Sequence, residues 1–202
     1  LGGPRLPVEE QHIRLHALGV EDAGGQAQQG VDVALVEELP TDGLAGSALL
    51  DRLYGLGADV RGTFHERQPA LLPERHLRAD LTSLDDCLTA TARMQDVVIC
   101  AAQTFGAQIM RDEPTRLVLP NLQIHSNLFE ACRMNGVERV LVISSSTVYQ
   151  EAFRPLREDE LDLNQQPFQL YQGVGWMKRY VEELARFYHD RYGLGVAIVR
   201  PS

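Results

Sequence analysis

Lys178, in the stretch LYQGVGWMKRYVEEL (residues 170–184), has the type and setting of a residue that moves protons. It stands near the start of an amphipathic pattern whose apolar positions are Val181, Leu184, Ala185 and Tyr188. An ammonium beside a phenol favours the phenolate and draws the tyrosine's proton toward the working pH range. A lysine on a helix is otherwise a solvated charge. What distinguishes this one is its company. About thirty residues upstream, VISSSTVYQ ends an apolar run in three serines. A hydroxyl there can hold a substrate oxygen and ease proton movement in carbonyl–alcohol chemistry. The alternative role for such serines is to satisfy backbone groups where a strand ends.

A second candidate is TDGLAGSALL, where Gly43 and Gly46 fall between a predicted strand and a predicted helix. Missing side chains there let backbone N–H groups and the helix dipole approach a pyrophosphate. A full dinucleotide fingerprint has another glycine three residues before Gly43, and Pro40 stands in that place. Proline offers no N–H and has a fixed φ, so the loop is either a damaged phosphate cradle or an ordinary strand–turn–helix connection. His12 and His16 share a helical spacing with nothing nearby to complete a metal set. His125 reads as a packed or solvated side chain, and the REDELD run as a solvated loop. The chain contains no nucleophile elbow, P-loop or zinc spacing.

These residues need a frame to hold them. Residues 1–30 are poorly patterned, and the regular texture begins at residue 31. VDVALV (31–36), ADVRGTF (58–64), HLRADL (76–81), DVVICAA (96–102), VERVLVISSS (137–146) and GVAIVRP (195–201) read as strands. Between them, helical periodicity is expected over 44–57, 82–94, about 115–135 and 175–192; the third contains Leu122, Leu128, Phe129 and Cys132. The strands are too apolar for a half-exposed antiparallel sheet. The alternation predicts an α/β domain over 31–202, with a parallel sheet and helices on both faces. Such sheets take ligands at the carboxyl ends of their strands, which is where the serines fall.

The 202 residues carry a net charge of −9, which argues against a nucleic acid or an anionic membrane as the main partner. No apolar run reaches the roughly 20 residues that span a bilayer, and LGGPRLPVEEQ lacks a signal-peptide pattern. Cys87, Cys100 and Cys132 are odd in number and form no C-x-x-C, as expected of buried thiols in a reducing compartment. The expectation is a cytoplasmic protein.

Taken in order, GLAGSALLDRL, Asp80-Leu81, VICAA, NLQIHSNLFEACRMNGVERVLVISSSTVY and GWMKRYVEELARFYHDRYGLGVAIVRPS resemble the extended short-chain dehydrogenase/reductase superfamily. Within it, residues 43–202 are most similar to the NAD(P)-dependent epimerase/dehydratase branch, which acts on nucleotide-sugars. The resemblance implies a Rossmann-like doubly wound sheet. It also implies that Gly43 and Gly46 line the cofactor pyrophosphate, Asp80 and Leu81 the adenine, and Ala101 and Ala102 the ribose region. Ser145 or Ser146 becomes the hydroxyl partner of a catalytic tyrosine, and Lys178 the ligand of the nicotinamide ribose. His65 and Arg67, after the second strand, tilt the cofactor toward NADP over NAD.

Three departures stand against that pattern. Pro40 interrupts the glycine fingerprint, Val174 occupies the position of the family's tyrosine, and the chain stops at VRPS where the family continues into a substrate-binding subdomain. Tyr171 is the substitute on offer. In a continuous helix it lies about 10 Å along the axis from Lys178, but a break at Gly173 and Gly175 would let it fold back. The reading is an epimerase, dehydratase or reductase working by hydride transfer with Tyr171, Lys178 and a serine, and nearly inactive as these 202 residues alone. A non-catalytic NAD(P)-binding or scaffold module, or a fragment that works only within a longer chain, are the alternatives. By the same resemblance, the two long helices could pair in a homodimer.

Overall fold

The computed structural model describes residues 32–36 (backbone), 44–66, 72–103, 112–113 and 115–201. The poorly patterned segment 1–30 and the residues Pro40, Gly43 and Arg67 lie outside these.

Six strands form one parallel sheet. They are β1 (Asp32–Val36), β2 (Asp59–Phe64), β3 (His76–Arg78), β4 (Asp96–Ile99), β5 (Arg139–Ile143) and β6 (Gly195–Val199). Their order across the sheet is β3-β2-β1-β4-β5-β6. The chain builds outward from β1 to β3, returns across β1, and builds outward again through β4. That reversal between β1 and β4 is the switch point of a Rossmann-like sheet, where a crevice opens beyond the strand ends.

Helices α1 (Leu44–Gly55), α2 (Leu84–Thr91), α3 (Thr115–Asn135) and α4 (Gln172–Tyr192) cover the sheet. Strand side chains alternate between two cores, as a pleat requires. Val97 and Ile99 of β4 and Val140 and Val142 of β5 join Cys87, Leu128, Phe129, Val181 and Ala185 under α2, α3 and α4. Val98 and Leu141 face the other way, toward Leu50 and Leu53 of α1. Each such leucine or valine contributes about 1.5–3 kcal/mol on burial. Between α3 and α4, the rings of Phe129 and Tyr188 stack at 5.4 Å.

The expected strands are present but several stop early, for identifiable reasons. β3 ends at Arg78 because Asp80 starts its own turn, its Oδ1 accepting from the Thr82 amide at 2.9 Å and the Thr82 hydroxyl at 2.6 Å. Ser83 then caps α2, accepting from the Asp86 amide. β5 ends at Ile143 because Ser145 caps a 3₁₀ turn over Ser146–Val148, its Oγ accepting from the Thr147 amide at 3.2 Å.

Candidate active site

α4 places its most unusual side chain inward. Lys178 is the only lysine in the sequence, and it is 6 % exposed. Its Nζ donates to the carbonyl of Ile143, the last residue of β5, at 2.9 Å. Burial pushes the ammonium down to about 8, partly offset by the charge of Glu182 and by Cys100 at the end of β4.

One turn further along α4, Glu182 is buried too. The Ser144 hydroxyl donates to its Oε1 at 2.6 Å, and Arg200 grips both oxygens, Nε to Oε1 at 2.9 Å and Nη2 to Oε2 at 2.7 Å. Burial alone would raise this carboxyl; the bonds from Arg200 and Ser144 outweigh it and hold the group below its ordinary range. Arg200 also donates from Nη1 to the Tyr149 hydroxyl at 3.0 Å and lies over that ring. One network thus ties the ends of β5 and β6 to α4.

The three serines divide their labour. Ser144 points inward to Glu182, Ser145 is half-buried and caps the 3₁₀ turn, and Ser146 is exposed. Ser146 opens on a cavity of about 310 Å³ whose walls include Thr147, Tyr149, Gln150, Phe168 and Tyr171. The ring of Tyr171 rests against Phe168, centroids 6.0 Å apart. Lys178 and Tyr171 therefore meet the same serine turn, one through the carbonyl before it and the other through the cavity beyond it.

The expected helix break at Gly173 and Gly175 is not there. α4 starts at Gln172 and runs without interruption, with Tyr171 as its N-cap. Gly175 instead serves close packing: a Cβ at that position would sit 2.5 Å from both the Thr147 carbonyl oxygen and Pro167 Cβ. Val174 packs against the core shared by α3 and α4. Beneath the cavity, Arg179 is buried, donating to the carbonyls of Val148 at 2.7 Å and Gln165 at 2.5 Å, and so fastens the loop 149–168 to α4.

At the end of β4, Ala101 is buried and Ala102 half-buried. The loop after them is clamped by Asn121 of α3, whose Oδ1 accepts from the Gln103 amide at 2.8 Å while its Nδ2 donates to the Gln103 carbonyl at 2.9 Å. Sequence reasoning missed Asn121. Its signal was there: an amide on the same helical face as Leu117, Ile124 and Leu128 must find partners inside the protein.

On the far side of the switch point, His65 follows β2 and its carbonyl accepts from Arg78 Nε at 3.2 Å. The Thr82 hydroxyl bond leads in holding Asp80 below the usual carboxylate range, and the charge of His65 adds to it. Leu81 is fully buried in the core, backbone and side chain alike, and its carbonyl accepts from Cys87 Sγ and Asn127 Nδ2, each at 3.3 Å. Gly46 is buried in the first turn of α1. Among the described residues no three His, Cys, Asp or Glu side chains gather as a metal site, and no helix is long and apolar enough to cross a membrane.

With a parallel sheet of this order and a buried lysine at the end of β5, comparison with known proteins is decisive. The family model of the NAD dependent epimerase/dehydratase family matches residues 41–202. The chain belongs to that family. GDP-mannose 3,5-epimerase of Arabidopsis thaliana is 27% identical over 150 residues, covering 73% of this chain and 39% of the relative. A dTDP-4-dehydro-6-deoxy-D-allose reductase of Streptomyces sp is 28% identical over 171 residues, covering 79% and 52%. The chain thus spans about half or less of the curated relatives it matches. UDP-glucose 4-epimerase from Brucella ovis, solved in complex with NAD, superposes with a TM-score of 0.70 at 21% identity, over 85% of this chain and 51% of that one. That likeness concerns the fold.

Proposed function

We propose that this family member is the cofactor-binding part of an NAD(P)-dependent enzyme that epimerises, dehydrates or reduces a nucleotide-sugar. The observation that carries the reading is Lys178, desolvated and held on the Ile143 carbonyl beside a serine turn that shares a cavity with Tyr171. The residues present fit a dinucleotide along the crevice. The small side chains of Ala101 and Ala102 leave room at the β4 end, and Lys178 has ammonium hydrogens beyond the one given to Ile143 to offer a ribose hydroxyl.

When bound, the nicotinamide supplies the acceptor and donor of hydride at a sugar carbon. The chain's own residues do the rest. Lys178 orients the ribose, Ser145 or Ser146 holds the reacting oxygen, and Tyr171 passes the proton. Gly43 and Gly46 receive the pyrophosphate, and Asp80 borders the adenine. His65 and Arg67, joined by Arg78 at the end of β3, favour a 2′-phosphate and hence NADP. Cys87, Cys100 and Cys132 form no disulfide, which suits a cytoplasmic setting.

Titrating the protein with NADPH and NADH, followed through the fluorescence of its single tryptophan, Trp176, tests this reading. Both should bind, NADPH the tighter, with turnover of nucleotide-sugars by the complete protein of which these residues are the cofactor-binding part. Binding without turnover would favour the non-catalytic module, and no binding of either cofactor would overturn both.

The partner we propose is a second copy. α4 turns Trp176, Tyr180 and Phe187 outward, each 41–52% exposed, on one side of the helix. Pairing through α3 and α4 would cover them. Sedimentation at micromolar concentration should report a dimer; a monomer mass at every concentration would exclude it.

A further inference from the structure

Lys178 is not the only titratable group buried at this end of the sheet. His125 lies on α3, fully enclosed, 1 % exposed. Its Nδ1 is 2.7 Å from the Asn121 carbonyl oxygen. A carbonyl can only accept, so Nδ1 carries the hydrogen and Nε2 presents a lone pair. That Nε2 is buried with no hydrogen-bond partner. Burial first, and then the charge of the nearby Lys178 ammonium, bring the imidazole down to about 3, so His125 is a neutral acceptor at any physiological pH.

The two groups have complementary deficits. Lys178 has three ammonium hydrogens, of which Ile143 takes one. The groups that face it are the Glu182 carboxylate on its own helix, Cys100 at the end of β4, His125 on α3 and the Ile143 carbonyl of β5. Glu182 has both oxygens engaged by Arg200 and Ser144. Among these groups, the one with a buried lone pair that meets no hydrogen-bond donor is His125 Nε2. Buried polar atoms without protein partners are ordinarily bridged by internal water, which needs two or more polar groups to hold it.

We propose that His125 is a positioning residue for Lys178: a water held between its Nε2 and the ammonium gives the buried lysine a second acceptor and keeps it charged at neutral pH. The imidazole acts on the ligand-binding group without touching ligand. Because it stays neutral, it opposes the effect of burial without adding a competing charge. Its value to cofactor binding rests on the function proposed above; the protonation of Lys178 does not.

The sequence makes the test direct, since its one lysine yields a single ε-ammonium resonance after lysine-selective ¹³C/¹⁵N labelling, assigned by its loss in Lys178→Arg. In the unmodified protein it should titrate as one group. His125→Leu should lower the midpoint by about one unit, a tenfold change in the charged fraction at high pH. His125→Gln, whose amide oxygen can replace the lone pair, should stay close to the unmodified value. A His125→Leu midpoint that is unmoved or raised would overturn the proposal. Should that variant fail to fold, the unmodified protein decides: the ¹⁵N shift of His125 Nε2 must follow the lysine's titration, and a flat Nε2 would refute the bridge. Loss of NADPH affinity with an unaltered lysine midpoint would place the fault elsewhere than in this pairing.

Discussion

Glu182→Ala will lower the stability of the protein by about 3–5 kcal/mol. The carboxylate is enclosed between α4 and the ends of β5 and β6, where it neutralises Arg200 and accepts the Ser144 hydroxyl. Removing it leaves a guanidinium that is itself largely buried without a counter-charge, and strands the serine. The contribution also depends on pH. The folded-state carboxyl lies below its unfolded value of about 4.3. The stabilisation is therefore full above that value and disappears as the pH falls through the folded one. Urea denaturation at neutral pH measures the loss directly. Arg154→Ala provides the contrast: its pairing with Glu160 is on the surface, where solvent screens it and its loss should scarcely register. A loss that small for Glu182→Ala would mean that the network does not hold the strand ends in place.

Tyr171→Phe should lower turnover of the complete protein by about 10²–10⁴-fold, the usual weight of a positioned acid or base, while leaving its stability nearly unchanged. The ring would still rest on Phe168, and only a half-exposed hydroxyl is lost. The expectation follows from the continuity of α4. With Val174 packed against the core and no break at Gly173 or Gly175, the helix offers no phenol one turn before Lys178. A tyrosine can then act only from the cavity side of the serine turn, where Tyr171 borders Ser146. On the function proposed above, Tyr171 would then act from its own side of the serine turn, not folded back onto Lys178, from which it lies about 10 Å along the helix. Steady-state kinetics of Tyr171→Phe beside Val174→Tyr settles the matter. Unchanged turnover in the first removes Tyr171 from the chemistry. A gain in the second would show that the phenol is wanted next to the lysine instead.

Much of this architecture can be read from the order of residues. Apolar runs too continuous for an exposed sheet, separated by amphipathic stretches, imply a parallel sheet covered on both faces, and the six strands and four described helices fall where those runs lie. Lys178 stood out by its placement on α4 and its distance from the serines. Strand ends were harder to read. Hydrogen bonds from short polar side chains stop β3 at Arg78 and β5 at Ile143, and such bonds compete locally with the sheet in a way that hydrophobic pattern does not register.

What had to await the folded chain was the assignment of work among neighbours of one chemical type. Ser144, Ser145 and Ser146 look equivalent in a string, yet successive residues leaving a strand point to opposite sides, so one meets Glu182, one caps a turn and one faces a cavity. The glycines before Lys178 suggested a bend, but the close approach of the Thr147 carbonyl gives Gly175 a packing role instead. The burial of Lys178 and His125 in the same interior likewise depends on α3 lying against α4. Periodicity places a residue on a helix face; which charged or orphaned groups meet it there is set by contacts between elements far apart in sequence.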